Sequence, residues 1–351
     1  MAIAANRSVA IERVGIVGAG AAAAVHLRAV QRLPGKRVVA IHDIDPRRAA
    51  ALASEFGLPR SVVMDRQRLY ENGRPQLVHV VTPPHVHQDI GLEALARGVH
   101  VFVEKPPALT LEGCRLLQSR ANSGGVTVGI NENTALEPQI LRACRGIVAG
   151  RLGQLVHIDG FYSFGLGGNE RPPKWMNRLP GGMLEDLLPH PLTIARRLAG
   201  GALTPEYWRL ISSGRVAGQS HDELRLFLIK DNGPTVNLTI SLTGRPKAFS
   251  FAVRGTDGVL AIDLRNMLFS INIDSGGPIA RNSRLIRASL GVLCQIVANT
   301  AGLLTDHRER YGSSLHSIRA HYAALETGQE IPAPLSRGVE TVEVIRTIWP
   351  A

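Results

Sequence analysis

Residues 14–33 constrain the chain most. Val14-Gly15-Ile16-Val17 is a β-favouring apolar run that passes without a break into Gly18-Ala19-Gly20-Ala21-Ala22-Ala23, and then into a helical stretch over 22–33. A strand, a glycine turn and a helix in that order fit the pattern G-x-G-x-x-G/A. Gly18 permits the tight turn, Gly20 lets the backbone approach a pyrophosphate, and Ala23 is small enough for close helix–strand packing. The first turn of the helix, with Ala19 and Ala22 beside it, offers N–H groups to an anion.

The alternation that follows implies a sheet. Residues 37–42 read as a second strand ending at Asp43, 25 positions beyond Gly18, near where an acid meets the ribose hydroxyls of a dinucleotide. Asp45-Pro46 opens a helix that Gly57 closes. Residues 77–81 form a strand leading to Thr82-Pro83-Pro84-His85-Val86-His87. A helix over 88–97 follows, and residues 100–103 run into Glu104-Lys105-Pro106-Pro107. A helix over 110–121 and a strand over 126–130 complete the series, which ends at Asn131-Glu132-Asn133. Strands alternating with helices give right-handed βαβ units and a parallel sheet. Ligands bind beyond the carboxyl ends of such strands, so Thr82, Pro83, His87, Glu104, Lys105 and Asn131 join the candidates. The two prolines stop the strand and deliver Lys105 to that edge. Its ammonium suits proton exchange with a hydroxyl or carbonyl. The plainer alternatives are a strand-end ion pair of Lys105 with Glu104, and solvated histidines in a proline-rich turn.

From residue 137 the rhythm changes. One more helix runs to about 148. Strands are expected over 154–164, 207–213, 222–229, 235–243, 248–254, 259–264 and 267–273, with short turns such as Asp231-Asn232-Gly233. Successive strands of this kind make an open, mostly antiparallel sheet, and helices on one face complete an α+β domain. The expected division is a flexible tail over 1–10, an α/β Rossmann domain over 11–133 and an α+β domain over 134–351. The loop 165–182 holds Arg171, Lys174 and Trp175, which suit an anionic or ring-bearing ligand. Asp186 and His190 are four apart, the spacing that places two residues on one helical face. Pro189 and Pro191 bias Leu188 and His190 away from helical backbone. Residues 285–304, 307–326 and 339–348 read as helices. The first is strongly apolar and fits a core or a subunit seam, or less simply a face for a hydrophobic substrate portion.

Composition narrows the classes. The chain has 351 residues, 44% hydrophobic and 20% charged, with a formal charge of +11. Only 5 of its 40 basic residues are lysine. No basic cluster with interleaved aromatics is present, so no nucleic-acid partner is expected. Cys114, Cys144 and Cys294 lack metal-ligand spacing, so no metal is expected and the thiols point to a reducing, cytoplasmic setting. The first residues lack the apolar core of a signal peptide. Arg287, Gln295 and Asn299 argue against a membrane span within 285–304.

Taken together, Gly18-Ala19-Gly20-x-x-Ala23, Asp43, Thr82-Pro83 with His87, Glu104-Lys105-Pro106 and Asp186-x-x-x-His190 resemble the Gfo/Idh/MocA oxidoreductase family. The likeness runs from Arg13 to Trp349. It implies NAD(P) in a Rossmann domain, a Lys-Pro peptide that is often cis, and homodimers or homotetramers built through the C-terminal sheet. It also implies hydride transfer with a small carbohydrate, polyol or related carbonyl compound. Lys105 would then orient and polarise the reacting oxygen, His190 would be the general acid/base, and Asp186 a substrate or orienting partner. NAD is expected in preference to NADP, because a carboxylate at Asp43 repels a 2′-phosphate. The chain departs from the family's habit at Leu188, Thr193 and Glu132-Asn133, around the substrate, which is compatible with an unusual substrate from specialised metabolism. Two rivals stand beside this reading: a redox-neutral use of NAD with elimination or hydrolysis, and a non-catalytic dinucleotide sensor.

Overall fold

The computed structural model describes residues 8–166, 173–273, 277–304 and 312–350. They form two compact units. One comprises residues 8–133 with 312–343, the other 134–304 with 344–350.

In the first unit the strands are β1 (Arg13–Val17), β2 (Arg37–His42), β3 (Leu77–Val80), β4 (His100–Val103) and β5 (Val128–Ile130). The helices between them include α1 (Ala21–Gln31), α2 (Pro46–Glu55), α3 (His87–Ala96) and α4 (Leu111–Gly124). The strand order is β2-β1-β3-β4-β5, and every pairing is parallel. Each residue of β3, β4 and β5 is buried, because helices cover both faces of the sheet and no side of these strands meets water. Ile90, Ala94, Leu117 and Ala121 of α3 and α4 fill one layer. Leu27 and Val30 of α1 fill the other, together with Ile318, Tyr322 and Leu325 of the late helix Gly312–Thr327.

That late helix corrects the expected division, which assigned everything after residue 133 to the second domain. It packs on α1, so the dinucleotide-type unit is built from two stretches of chain. The physical reason lies in α1, whose buried residues Ala23, Val25, His26, Leu27, Ala29 and Val30 make an arc wider than one sheet face requires. The expected tail is corrected too. Residues 1–7 lie outside the described residues, but residues 8–10 are docked: the Val9 N–H donates to the Leu325 carbonyl (2.9 Å).

The second unit holds β6 (Leu155–Ser163), β7 (Thr204–Ile211), β8 (Glu223–Ile229), β9 (Thr235–Ser241), β10 (Ala248–Gly255), β11 (Gly258–Asp263) and β12 (Leu268–Ile273). Their order is β12-β11-β10-β6-β9-β8-β7, antiparallel except where β6 lies parallel to β9. The chain makes a long excursion between those two strands, which is what a parallel neighbour requires. Inward positions alternate along the strands: Leu224, Leu226 and Leu228 on β8, and Val236, Leu238 and Ile240 on β9. Helices α5 (Pro138–Val148), α6 (Gly182–Leu187) and α7 (Pro189–Ala199) cover that face.

Helix α8 (Pro278–Leu304) lies along the edge strand β12. Gln295 there accepts the Phe269 N–H (2.9 Å) and donates to the Phe269 carbonyl (2.9 Å). One side chain thus pairs backbone groups that an edge strand otherwise leaves open. Leu285, Ile286, Leu290, Leu293, Ile296 and Val297 of α8 are exposed, so this helix is not the core element that its apolarity allowed. No helix among the described residues is long and apolar enough to cross a membrane.

Candidate active site

The glycine turn is built for close approach. Gly18 has φ +103°, and a Cβ there would stand 2.6 Å from the Val81 carbonyl oxygen. Gly20 is the N-cap of α1, and only the Arg48 guanidinium, at 3.4 Å, lies near the place of its missing Cβ. The first N–H groups of α1 therefore face outward with room for an anion. Ala23 is fully buried against the sheet, as the motif requires. At the end of β2, Asp43 accepts the Ala19 N–H on Oδ2 (2.7 Å) and the Asp45 N–H on Oδ1 (2.9 Å). It fixes the glycine turn to the neighbouring strand end. A cradle that any Cβ would fill, with a carboxylate beside it, fits a dinucleotide.

The ends of β3 and β4 are tied together. The Lys105–Pro106 peptide is cis. His87 is buried, with Nδ1 2.8 Å from the Pro106 carbonyl oxygen and Nε2 2.7 Å from that of Thr82. Burial lowers its pKa, opposed by those carbonyls and by Glu104. His87 was expected to touch a cofactor. In the structure both of its ring nitrogens lie against backbone carbonyl oxygens, and the neutral ring donates to one of them, so it packs between the Thr82-Pro83 turn and the Lys105 turn. Thr82 Oγ1 is buried with no hydrogen-bond partner among the described residues. Lys105 is half-buried.

Glu104 and Asn131 likewise turn inward. Oε1 of Glu104 accepts from Nε2 of His26 (2.8 Å) and from Nδ2 of Asn131 (2.7 Å). Burial raises the Glu104 pKa, but His26, Asn131 and the Lys105 charge outweigh it and hold the carboxyl at about 2. Asn131 Oδ1 is buried and has no partner among the described residues.

In the second unit, Asp186 lies on α6 and His190 is the second residue of α7. Leu188 between them has helical backbone, φ −53° and ψ −39°, contrary to the bias expected before Pro189. Proline at the first position of α7 needs no N–H. The Leu188 N–H reaches Leu184 O (3.0 Å) and the Leu192 N–H reaches Leu188 O (3.2 Å), so the backbone stays helical through the junction. Asp186 and His190 are the two half-open positions in a buried run from Met183 to Ala195. Sequence reasoning missed a third residue, Tyr162 on β6. Its ring stands edge-on to His190 with centroids 6.4 Å apart, and it stacks on Phe249 at 4.2 Å. Burial and the Asp186 charge push the Tyr162 pKa up to about 12. The signal was its inward register after Ile158 and Gly160. Trp175 is half-buried and packs on the core of this unit. Arg171 lies outside the described residues, as does the Lys174 side chain.

Two family models match the chain. One, described as an oxidoreductase family with an NAD-binding Rossmann fold, covers residues 12–132, and the family's C-terminal domain covers 140–261. The inositol 2-dehydrogenase of Burkholderia cenocepacia is 36% identical over 114 residues, 32% of this chain and 34% of that protein. The matched part thus spans about a third of that relative's length. The inositol 2-dehydrogenase of Pseudomonas fluorescens is 30% identical over 218 residues, 61% of each chain. Among solved structures, a levoglucosan dehydrogenase in complex with NADH and levoglucosan superposes with a TM-score of 0.80 at 18% identity, covering 96% of both chains. With the Rossmann half and the C-terminal half each matched by the model made for it, the chain belongs to the Gfo/Idh/MocA oxidoreductase family.

Proposed function

We propose that this protein is an NAD-dependent oxidoreductase that moves a hydride between the nicotinamide and a carbinol carbon of a small polyol or sugar. The observation that carries the reading is the glycine cradle at Gly18 and Gly20, in one unit with Glu104 and a half-buried Lys105 at the neighbouring strand ends. The similar inositol 2-dehydrogenases, and the structurally similar levoglucosan dehydrogenase with levoglucosan bound, support a polyhydroxylated substrate. Bound NAD supplies hydride transfer, and the protein supplies position and charge. Gly18, Ala19, Gly20 and Ala22 hold the pyrophosphate over the packed Ala23, Asp43 holds the ribose, and Thr82 and Pro83 line the nicotinamide end. Lys105 polarises the reacting oxygen, His190 exchanges the proton, and Asp186 and Tyr162 orient His190 and substrate. Arg171, Lys174 and Trp175 belong to the substrate loop.

Assembly as a homodimer or homotetramer through the seven-stranded sheet goes with this reading. Exposed Val156 and Phe161 support it. Free Cys114, Cys144 and Cys294 support a reducing, cytoplasmic setting. A substrate from specialised metabolism is part of the proposal, drawn from the departures at Leu188 and Glu132-Asn133. The test is NADH formation, followed by absorbance, on incubation with NAD and myo-inositol, scyllo-inositol, levoglucosan or glucose. A protein that binds NAD but reduces it with no polyol or sugar sinks the reading.

A further inference from the structure

Behind Glu104 the first unit contains a file of buried polar side chains that the proposed chemistry does not use. Oη of Tyr322, on the late helix, lies 2.9 Å from Nε2 of His79 on β3. Nδ1 of His79 lies 2.8 Å from Nδ1 of His26 on α1, and Nε2 of His26 lies 2.8 Å from Oε1 of Glu104. His26 and His79 are fully buried and Tyr322 is 1% exposed. We infer that Tyr322, His79 and His26 are positioning residues, which together hold Glu104 as an oriented carboxylate behind Lys105. The inference rests on the reading of Lys105 as the group that faces substrate.

Donor bookkeeping fixes the direction of the file. Two ring nitrogens 2.8 Å apart need one N–H between them, since two lone pairs at that distance repel. If His26 gives its Nε2 proton to the Glu104 carboxylate, its Nδ1 is the acceptor. His79 then carries its proton on Nδ1, and its Nε2 accepts the Tyr322 hydroxyl. Every donor points toward Glu104 and every ring nitrogen is satisfied. The reverse order would set a lone pair of His26 against the carboxylate. A doubly protonated His26 would turn His79 around and strip the Tyr322 O–H of its only acceptor among the described residues. The neutral file satisfies buried polar groups that would otherwise each be costly. Asn131 completes the set, its amide N–H being the second donor to Oε1. Burial also keeps His79 neutral, well below its ordinary pKa.

The elements around the file carry few other charges. Lys36 sits over the Tyr322 ring at 5.9 Å and pairs with Glu326, whose charge raises the Tyr322 pKa; His321 lies edge-on to the Tyr322 ring, and Lys105 is next to Glu104 in the chain. None of these supplies the Nε2–H that His26 offers. The file therefore acts on the site through one bond, by keeping His26 in a single tautomer.

The test is ¹⁵N-resolved NMR of the imidazole rings in the full chain at neutral pH, with steady-state kinetics of the Tyr322→Phe variant. We expect His26 protonated only on Nε2 and His79 only on Nδ1. Tyr322→Phe should blur the His79 tautomer and lower kcat about three- to tenfold, the scale of one neutral hydrogen bond. It should also move the acid limb of kcat/KM to higher pH and leave the NAD Kd unchanged. A His26 ring protonated on Nδ1, alone or with Nε2, overturns the inference. So does a Tyr322→Phe protein that melts earlier while its tautomers and pH profile stay the same, because the file would then be packing alone. If the wild-type chain turns over no polyol or sugar, the functional reading fails, and the NMR measurement still decides the file.

Discussion

The carbonyl oxygen of Val81 stands 2.6 Å from the point that a Cβ on Gly18 would occupy, at a backbone φ of +103°. Gly18→Ala must therefore push β1 and β3 apart as well as strain the turn. We expect a stability loss of roughly 1–3 kcal/mol from the backbone strain alone and a large loss of NAD affinity, checked by urea unfolding and fluorescence titration. Gly35→Ala is the control: Gly35 also has positive φ (+72°) but meets nothing within 4 Å. It should lose some stability and keep NAD binding.

NADH should bind more tightly than NADPH. Asp43 is anchored by the N–H groups of Ala19 and Asp45, so it cannot swing away from a 2′-phosphate. Like charges about 4 Å apart cost on the order of 1–4 kcal/mol at a surface or in water. Arg47 and Arg48 at the start of α2 soften this, and Asp43→Ser should bring the two affinities together. Equal titration curves for the wild-type protein would refute the assignment.

Lys105→Ala and His190→Ala should each lower kcat by roughly 10²–10⁴-fold, the range for positioned acid–base groups, with little change in NAD affinity. Lys105→Arg should fail as well, because the larger planar guanidinium cannot set its charge where the compact ammonium polarises the reacting oxygen. Single-turnover hydride transfer at saturating cofactor is the measurement. If His190→Ala keeps the wild-type rate, the proton is handled by another group, and Asp186 is the next to replace.

Stability should fall steadily on acidification in two windows. His321 is buried and its pKa is lowered to about 3, by burial first and by His100 second. His79, His87 and His100 are also lowered, chiefly by burial. Below pH about 6.5 the unfolded chain binds protons that these rings refuse, so stability drops as pH falls. Glu104, held at about 2, adds a second loss below its ordinary value of 4.5, as pH falls toward 2. Urea midpoints should be level from pH 8 to about 7, decline from about 6.5 downward, and decline further below about 4.5 in a scan carried to pH 3. His321→Leu should flatten the upper window, and an unchanged slope would remove His321 from the account.

Much of the first unit was legible because each local signal has one physical solution. A glycine turn after an apolar strand, and prolines after residues 77–81 and 100–105, leave little choice of strand ends. What escaped has equally specific causes. A helix shows which of its faces is apolar but not which sheet that face covers, so the return of the late helix to α1 went unseen. His79 sits in Leu77-Val78-His79-Val80, where one ring among apolar neighbours must have buried partners, yet those partners lie 53 and 243 residues away. The proline rule misjudged Leu188, because a proline that opens a helix tolerates a helical residue before it when that residue ends another.

The second layer of the first unit needs Ile318, Tyr322 and Leu325, and these leave the ribosome roughly 190 residues after β5. At about 5–20 residues per second, the outer face of α1, with His26 and the cover over His79, stays open to water for about 10–40 s of synthesis. The half of the protein that is translated first is thus the half that cannot be finished first. Nascent chains halted before residue 312 should expose that face to chaperones and proteases, and release from arrest should close it.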